Sequence, residues 1–150
     1  SYKQNALANK ADLLLFLGIG FLGVIMSQTP IKLAIQYVLA GISHLPTFAI
    51  IILIHLTIIL LSSISIHQLI SITALALSVS PQDIGLTQMQ FCLMLIGSYT
   101  LSTAVSPCVP YNIMLANLLH ISVVKVCRYN YVYGLSAVVM SAAIISWLIR

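Results

Sequence analysis

Polar side chains that could bind an ion or a small solute are concentrated in two short stretches of a largely apolar chain. The candidates are hydroxyl, imidazole and amide side chains: Ser63, Ser65 and His67 in the first stretch, and Thr103, Ser106 and Asn112 in the second. Hydroxyl and amide oxygens suit a hard cation such as Na⁺, and they can also hydrogen-bond a solute. These residue types therefore indicate binding, with His67 as a candidate for contact with a proton or with the solute.

Other kinds of chemistry lack the residues that they need. The two acids, Asp12 and Asp83, both lie near the ends of apolar runs, and the sequence has neither a glycine-rich phosphate loop nor a nucleophile elbow. The three cysteines are an odd number without ligand spacing, and no two histidines form a metal-binding pair. We therefore expect no enzyme, no metal centre and no cofactor, with Na⁺ as the one ion that the oxygen ligands would suit.

The composition places these residues in a membrane protein. The chain has 150 residues, of which 61% are hydrophobic and 5% charged, and no acidic or basic residue occurs from 33 to 82, from 84 to 124 or from 129 to 149. Soluble domains carry about 25% charged residues, and one membrane crossing needs about 20 apolar residues. The net charge of +4 comes from basic residues scattered among apolar runs, which provides no face for nucleic acid.

Continuous apolar runs predict helices as the spanning form, because strands of a membrane barrel alternate in polarity. We predict an all-α membrane protein: a polytopic helical bundle with a re-entrant hairpin and a proline-broken helix, in a single transmembrane domain over residues 1–150. An exposed polar segment comes first, at 1–10. The predicted spans are about 12–27, 47–61, 87–103 and 131–149, with an interfacial helix at 31–42, the hairpin at about 62–80 and the broken helix at 104–122.

Both polar stretches lie where a membrane protein would normally be helical. Pro107 and Pro110 cannot both occupy an unbroken helix interior, since each removes a backbone donor and clashes with the preceding turn. Broken backbone at membrane depth survives only when it is buried in protein or lines a wet cavity. Helix N-termini at such breaks could meet an anion, and freed carbonyls could hold Na⁺. We expect the two breaks to face each other across a common polar chamber.

The order of elements resembles the C-terminal inverted repeat of the ion transporter superfamily, notably the divalent anion/sodium symporters. In that family a hairpin carries a Ser-Asn-Thr motif, and a later broken helix carries a proline-rich turn that ends in Pro-Asn. Here residues 63–65 (SIS) take the place of the first motif and residues 106–112 (SPCVPYN) that of the second, with Ile64 in place of Asn and Tyr111 in place of a proline. The resemblance implies a secondary-active transporter, or half of one, that moves a small anionic solute coupled to Na⁺ or H⁺. It also implies a homo-oligomer or a partner half-transporter.

A different class of protein fits the same composition. A non-transporting integral membrane subunit or scaffold of a larger complex would also be rich in Leu and Ile, with serines and His55 as hydrogen-bonding contacts between helices. Either protein would have the lipid bilayer of the cell (inner) membrane as its partner, and neither would bind nucleic acid. The transporter hypothesis expects residues 63–67 and 106–112 close together near mid-membrane, whereas the subunit hypothesis leaves them in separate surface loops.

Overall fold

The structure is a computed structural model that describes residues 10–148, and every regular element within that range is helical. The α-helices are α1 (Lys10–Ser27), α2 (Pro30–Ile42), α3 (Thr47–Ser63), α4 (Gln68–Ser78), α5 (Gln88–Val105), α6 (Pro110–Leu118) and α7 (Val123–Leu148), with a 3-10 turn at Pro81–Ile84. The prediction of an all-α chain is confirmed for this range. The polar segment predicted at 1–10 lies outside it except for Lys10, as does residue 149 of the last predicted span.

Prolines and a capping threonine set several of the helix starts. Pro30 and Pro110 occupy the first turns of α2 and α6, where a missing backbone N–H is tolerated. Thr87 begins α5 with a capping box: its hydroxyl accepts from the backbone N–H of Gln90 at 3.2 Å, and the Gln90 side chain accepts from the N–H of Thr87 at 3.0 Å. The preceding 3-10 turn ends at Gly85, whose φ of 68° is accessible to glycine without steric cost.

Helices α3, α5 and α7 pack against one another and form the centre of the molecule. Ile51, Met94 and Ala142, one from each helix, are fully buried and belong to one apolar cluster. Helices α1 and α2 pack against α4, and α6 packs against α7. The central bundle therefore joins helices that are far apart in the sequence, and both polar stretches lie at its border.

Two helical segments are long and apolar enough to cross a membrane: Gln88–Leu118, which is α5 continued through α6, and Val123–Trp147 in α7. A third crossing is present if α1 and α2 form one span, since Leu17–Ile25 and Pro30–Ile42 pass the same test together but are bent by 76°. Helices α3 and α4 are apolar but shorter. By length and composition, two to three helices of the described range can therefore cross a membrane.

The start of α7 differs most from the prediction. The sequence analysis expected the last span at 131–149, but the helix begins at Val123. Lys125 and Arg128 mark the border of the apolar run, yet the backbone is helical through both residues. Their side chains are exposed, and long basic side chains on a helix can extend their charged ends into water. A change of polarity therefore does not end this helix.

Candidate functional site

The helical chain is interrupted in both polar stretches, and the second interruption lies against the last turn of the helix that precedes the first. The first break, residues 64–67, separates α3 from α4, and the second break, residues 106–109, separates α5 from α6. Ser106 Oγ donates to the carbonyl of Ser62, and Ser62 Oγ donates to the carbonyl of Ser102, both at 3.4 Å. These three serines are at most 1% exposed. The second break therefore has a buried contact with the last turn of α3, directly before the first break.

Side-chain amides close the second break. The carbonyls in the last turn of a helix have no partner within the helix itself. Asn112, in the first turn of α6, donates through Nδ2 to the carbonyls of Ser106 at 2.8 Å and of Thr103 at 3.1 Å. Asn130 of α7 donates through Nδ2 to the carbonyl of Ala104 at 2.8 Å. The carbonyls that the sequence analysis regarded as cation ligands are therefore bonded to amide donors in this structure.

Asn112 carries the one unpartnered buried side-chain atom among the six candidate residues. The residue is 1% exposed, and its Oδ1 has no hydrogen-bond partner among the described residues. An amide oxygen of this kind can accept two hydrogen bonds or coordinate a cation. Asn112 thus combines a structural contact through nitrogen with a free acceptor through oxygen.

The first break is a helix C-terminal motif. Ser65 has a φ of 73°. The N–H of Ile66 donates to the carbonyl of Leu61 at 3.0 Å, and the N–H of Ser65 donates to the carbonyl of Ser62 at 3.1 Å. This pair of bonds defines a Schellman motif, in which glycine is the usual residue at the left-handed position. The end of α3 is therefore satisfied by its own backbone, with serine at the strained position.

The candidate residues of the first break have mostly local partners. His67 is the N-cap of α4, and its Nδ1 accepts from the backbone N–H of Leu69 at 3.3 Å. Ser63 Oγ donates to the carbonyl of Ile59 at 2.7 Å and accepts from the hydroxyl of Tyr131 at 2.6 Å. Ser65 is exposed. Between residues 10 and 148, no hydrogen bond links Ser65 or His67 to the second break.

The structure therefore brings together part of the predicted set. Ser106 and Asn112 are adjacent and buried, and Thr103 joins them through its carbonyl, because its hydroxyl donates to the carbonyl of Thr100 at 2.7 Å. From the first stretch the direct partner is Ser62, which lies next to the candidate Ser63. The sequence predicted Ser63 and not Ser62 as the contact residue. The two neighbouring serines differ only in which face of α3 they occupy, and composition does not show that difference.

A second buried polar group, the His55 cluster (His55, Ser98 and Ser141), lies at the centre of the helical bundle. Nδ1 of His55 is 3.0 Å from Ser98 Oγ, and Nε2 is 3.1 Å from Ser141 Oγ. The ring thus joins α3 to α5 and to α7, as a mid-span histidine bonded to neighbouring helices was predicted to do. Gly97 gives the ring room, because a Cβ there would lie 3.2 Å from both Nε2 and Ser141 Oγ.

The sequence indicates a core position for one serine of the His55 cluster and not for the other. Met94, Ser98 and Ser102 follow one another at four-residue spacing on α5, and all three are buried. That spacing places them on one helix face and could have identified Ser98 as a core residue. Ser141 lies in a run of small and apolar residues, VVMSAAII. Nothing in that run distinguishes it from a serine that faces lipid.

The described part of the chain contains no group of three or more His, Cys, Asp or Glu side chains that could hold a metal ion. The cysteines are free thiols, with Cys92 and Cys108 exposed and Cys127 buried. The arrangement therefore offers hydrogen-bonding groups, which suit binding. Comparison with protein-family models, with curated proteins and with solved structures finds no match to this chain.

Proposed function

We propose that the chain is a secondary-active membrane transporter, or a half of one, that moves a small anionic solute coupled to Na⁺ or H⁺. The observation that carries the proposal is the buried contact of Ser106 in the second break with Ser62, in the last turn of α3 next to the first break. Discontinuous helices whose breaks meet are the arrangement in which transporters bind solute. In this proposal residues 62–80 form a re-entrant hairpin, and α5 and α6 form the broken helix. The polytopic bundle lies in the cell (inner) membrane as a homo-oligomer or with a partner half.

Two helix N-termini support an anionic solute. Helix α4 begins directly after the first break, and α6 begins directly after the second. The N-terminal end of a helix carries a partial positive charge that attracts anions. No Asp, Glu, Lys or Arg occurs from 33 to 82 or from 84 to 124. No side-chain charge within either break therefore opposes the two helix ends.

The coupling ion makes different demands on Asn112. Its Nδ2 now bonds the carbonyls of Thr103 and Ser106. Na⁺ coordination by those carbonyls would require the amide to move away, because a cation and an N–H donor would compete for the same lone pairs. H⁺ coupling makes no such demand. In both cases the unpartnered Oδ1 of Asn112 is the group that we expect to contact the solute or the cation.

Transport is tested with the purified chain in sealed proteoliposomes, with radiolabelled succinate as the probe and inward gradients of Na⁺ and H⁺ imposed separately. We expect uptake above that of protein-free vesicles under one of the gradients. Asn112→Ala should reduce it at least about tenfold, the effect of losing one buried hydrogen bond to a charged ligand. Asn117→Ala, at an exposed position on the same helix, is the matched control and should leave uptake unchanged. Absence of uptake under both gradients contradicts the proposal.

Thiol labelling tests the shared site independently of transport. Three variants each keep one cysteine. The first keeps the native Cys108 in the second break, and the second has Ile64→Cys in the first break. The third, Ile96→Cys on the exposed apolar face of α5, is the control. We expect a membrane-impermeant reagent to label both break positions, the solute to protect them, and position 96 to stay unlabelled in lipid. If the two break positions are labelled from opposite aqueous phases and the solute protects neither, the hypothesis of a shared site is wrong.

A second candidate is a non-transporting integral membrane subunit or scaffold. It is favoured by hydrogen bonds between helices: Asn112 and Asn130 donate to carbonyls at the end of α5, and His55 is bonded on both ring nitrogens. Polar contacts of this kind also hold helices together in lipid without any transport role. Breaks that resist the thiol reagent from both sides, together with absent uptake, would support this class instead.

A further inference from the structure

A groove between α2, α3 and α4 has walls that are almost entirely apolar and a volume of about 710 Å³. Ile54 and Ala74 are buried within it, while Val38 and Leu53 are exposed to 65% and 41%. Ile66 of the first break forms part of the same wall. The volume is several times the roughly 150 Å³ of a cavity that holds one benzene molecule. The groove therefore has room for a long apolar group.

We propose that this groove binds one acyl chain of an anionic phospholipid, with the lipid phosphate beside Lys32. The inference rests on the membrane embedding proposed above and not on transport. It concerns the outer face of α2, α3 and α4, whereas the contact of Ser106 with Ser62 lies between the end of α5 and the end of α3.

The groove matches lipid hydrocarbon in length and polarity. Its lining extends over residues 34 to 42 of α2 and 53 to 61 of α3, about 12 Å along each helix axis. One leaflet of hydrocarbon is about 15 Å thick. Thr57 and Ser71 are the polar lining residues, and the Thr57 hydroxyl donates to the carbonyl of Leu53 at 2.8 Å. An acyl chain could therefore occupy the groove without leaving that hydroxyl unpaired.

Lys32 is a cation in the first turn of α2, ahead of the residues of that helix that line the groove. It precedes Ile35 by three residues and Leu39 by seven on α2, so the three side chains share a helix face, and both apolar residues line the groove. Lys32 is half-buried. It is the only basic residue between Lys10 and Lys125, and no acidic residue occurs from 13 to 82. An anionic headgroup therefore complements the one charged residue of α2, α3 and α4.

The test is photocrosslinking of the full chain in vesicles. The vesicles contain a small fraction of phosphatidylglycerol, or of phosphatidylcholine, with a diazirine on one acyl chain, and labelled peptides are identified by mass spectrometry. We expect labels on the groove walls of α2, α3 and α4. Labelling should be roughly fivefold stronger with phosphatidylglycerol, since one lysine near an anionic headgroup has about this effect.

Variants on α2 separate the acyl chain from the headgroup. Ala34→Phe places a large side chain in the groove, while Ala40→Phe adds it at an exposed position that does not line the groove. We expect the first to lower labelling at least about fivefold and the second to leave it unchanged. Lys32→Gln should abolish the preference for phosphatidylglycerol, and Lys32→Arg should retain it.

Several outcomes would overturn the inference. These are equal labelling of the two phenylalanine variants, labels confined to α5 and α7, or crosslinks to a second copy of the chain in place of lipid. If alkaline carbonate extracts the chain from the vesicles, both this inference and the proposed membrane embedding are wrong. Absent succinate uptake with groove labelling intact would contradict the transport proposal alone.

Discussion

His55 is accommodated in the protein interior by two serines that match its hydrogen-bonding capacity. A neutral imidazole has one donor nitrogen and one acceptor nitrogen, and a serine hydroxyl can take either role. Ser98 and Ser141 therefore satisfy both ring nitrogens whichever one carries the proton. His55 and Ser98 are fully buried, so a lost partner would leave a polar atom without water to replace it.

Replacement of His55 tests how much stability this cluster provides. His55→Leu removes the ring from the hydroxyls of buried Ser98 and half-buried Ser141, and we expect a loss of about 2–4 kcal/mol in the free energy of unfolding. Adding Ser98→Ala and Ser141→Ala should recover much of the loss, because removal of all partners together is nearly neutral. Thermal unfolding in detergent measures both effects. If His55→Leu has the same melting temperature as the parent chain, the cluster contributes no stability.

Ser65 occupies a backbone position that glycine would fill at lower cost. Its φ is 73°, in the left-handed region where a side chain clashes with the backbone. Ser65→Gly should raise the free energy of unfolding by roughly 0.5–1 kcal/mol, since relief of strain exceeds the added entropy of the unfolded chain. Ser43→Gly is the matched control at the end of α2, where φ is −61°. We expect it to lower the melting temperature, so equal shifts in the same direction would contradict the argument.

At the scale of elements, each break is a helix end whose free backbone groups have found partners. Helix α3 uses the backbone N–H groups of Ser65 and Ile66, whereas α5 uses the side chains of Asn112 and Asn130. Pro107 contributes no N–H to the second break, and this accounts for the use of side-chain donors there. The second break therefore depends on distant residues, while the first is closed by its neighbours in the chain.

Changes at Asn112 should disrupt the second break in a graded way. Asn112→Ala removes the donor to the carbonyls of Thr103 in α5 and of Ser106 in the second break, at a cost of about 1–3 kcal/mol. Asn112→Asp should cost more, because an ionised carboxylate would face carbonyl oxygens where the amide nitrogen now lies at 2.8 and 3.1 Å. The same exchange at exposed Asn117 is the control. Melting temperature and amide exchange in α6 measure the effect, and a more stable Asp variant than Ala variant would disprove this role.

The sequence predicted the second break better than the first. Two prolines three residues apart require a helix end, and α5 does end at Val105 with α6 beginning at Pro110. The serine-rich composition of residues 62–68 predicts an interruption there, yet α3 stays helical through Ser63. The break there follows from the left-handed conformation of Ser65. Composition does not reveal that conformation, since serine adopts it only when tertiary packing compensates the strain.

The partners of the buried polar groups were beyond sequence reasoning. His55 bonds Ser98 and Ser141, which are 43 and 86 residues away in the chain. Asn130 directly precedes the predicted last span, 131–149, and it donates to the carbonyl of Ala104 on another helix. Such contacts depend on how α3, α5 and α7 pack, and helical periodicity specifies only which face is apolar. The elements were therefore more predictable than the contacts between them.

At the scale of the whole molecule, many large apolar side chains are exposed while several polar side chains are buried among an apolar core. Ser62, Ser98 and Ser102 are fully buried, whereas Val132 and Trp147 on α7 are exposed to 78% and 77%. In water this arrangement would expose apolar surface while polar groups are desolvated. In lipid the exposed apolar side chains meet hydrocarbon, and the buried serines join helices. The distribution supports the proposed embedding independently of helix length.

Trp147 allows this embedding to be measured, because it is the only tryptophan of the chain. Helix α7 has 26 residues, about 39 Å against a hydrocarbon thickness of about 30 Å, so its ends should reach the interface. Tryptophan prefers that level. In vesicles, lipids brominated near the headgroup should therefore quench Trp147 fluorescence more than lipids brominated near the chain ends. In a Trp147→Phe background, Met140→Trp lies about 10 Å deeper and should reverse this order. Equal quenching profiles at the two positions would contradict a membrane-crossing α7.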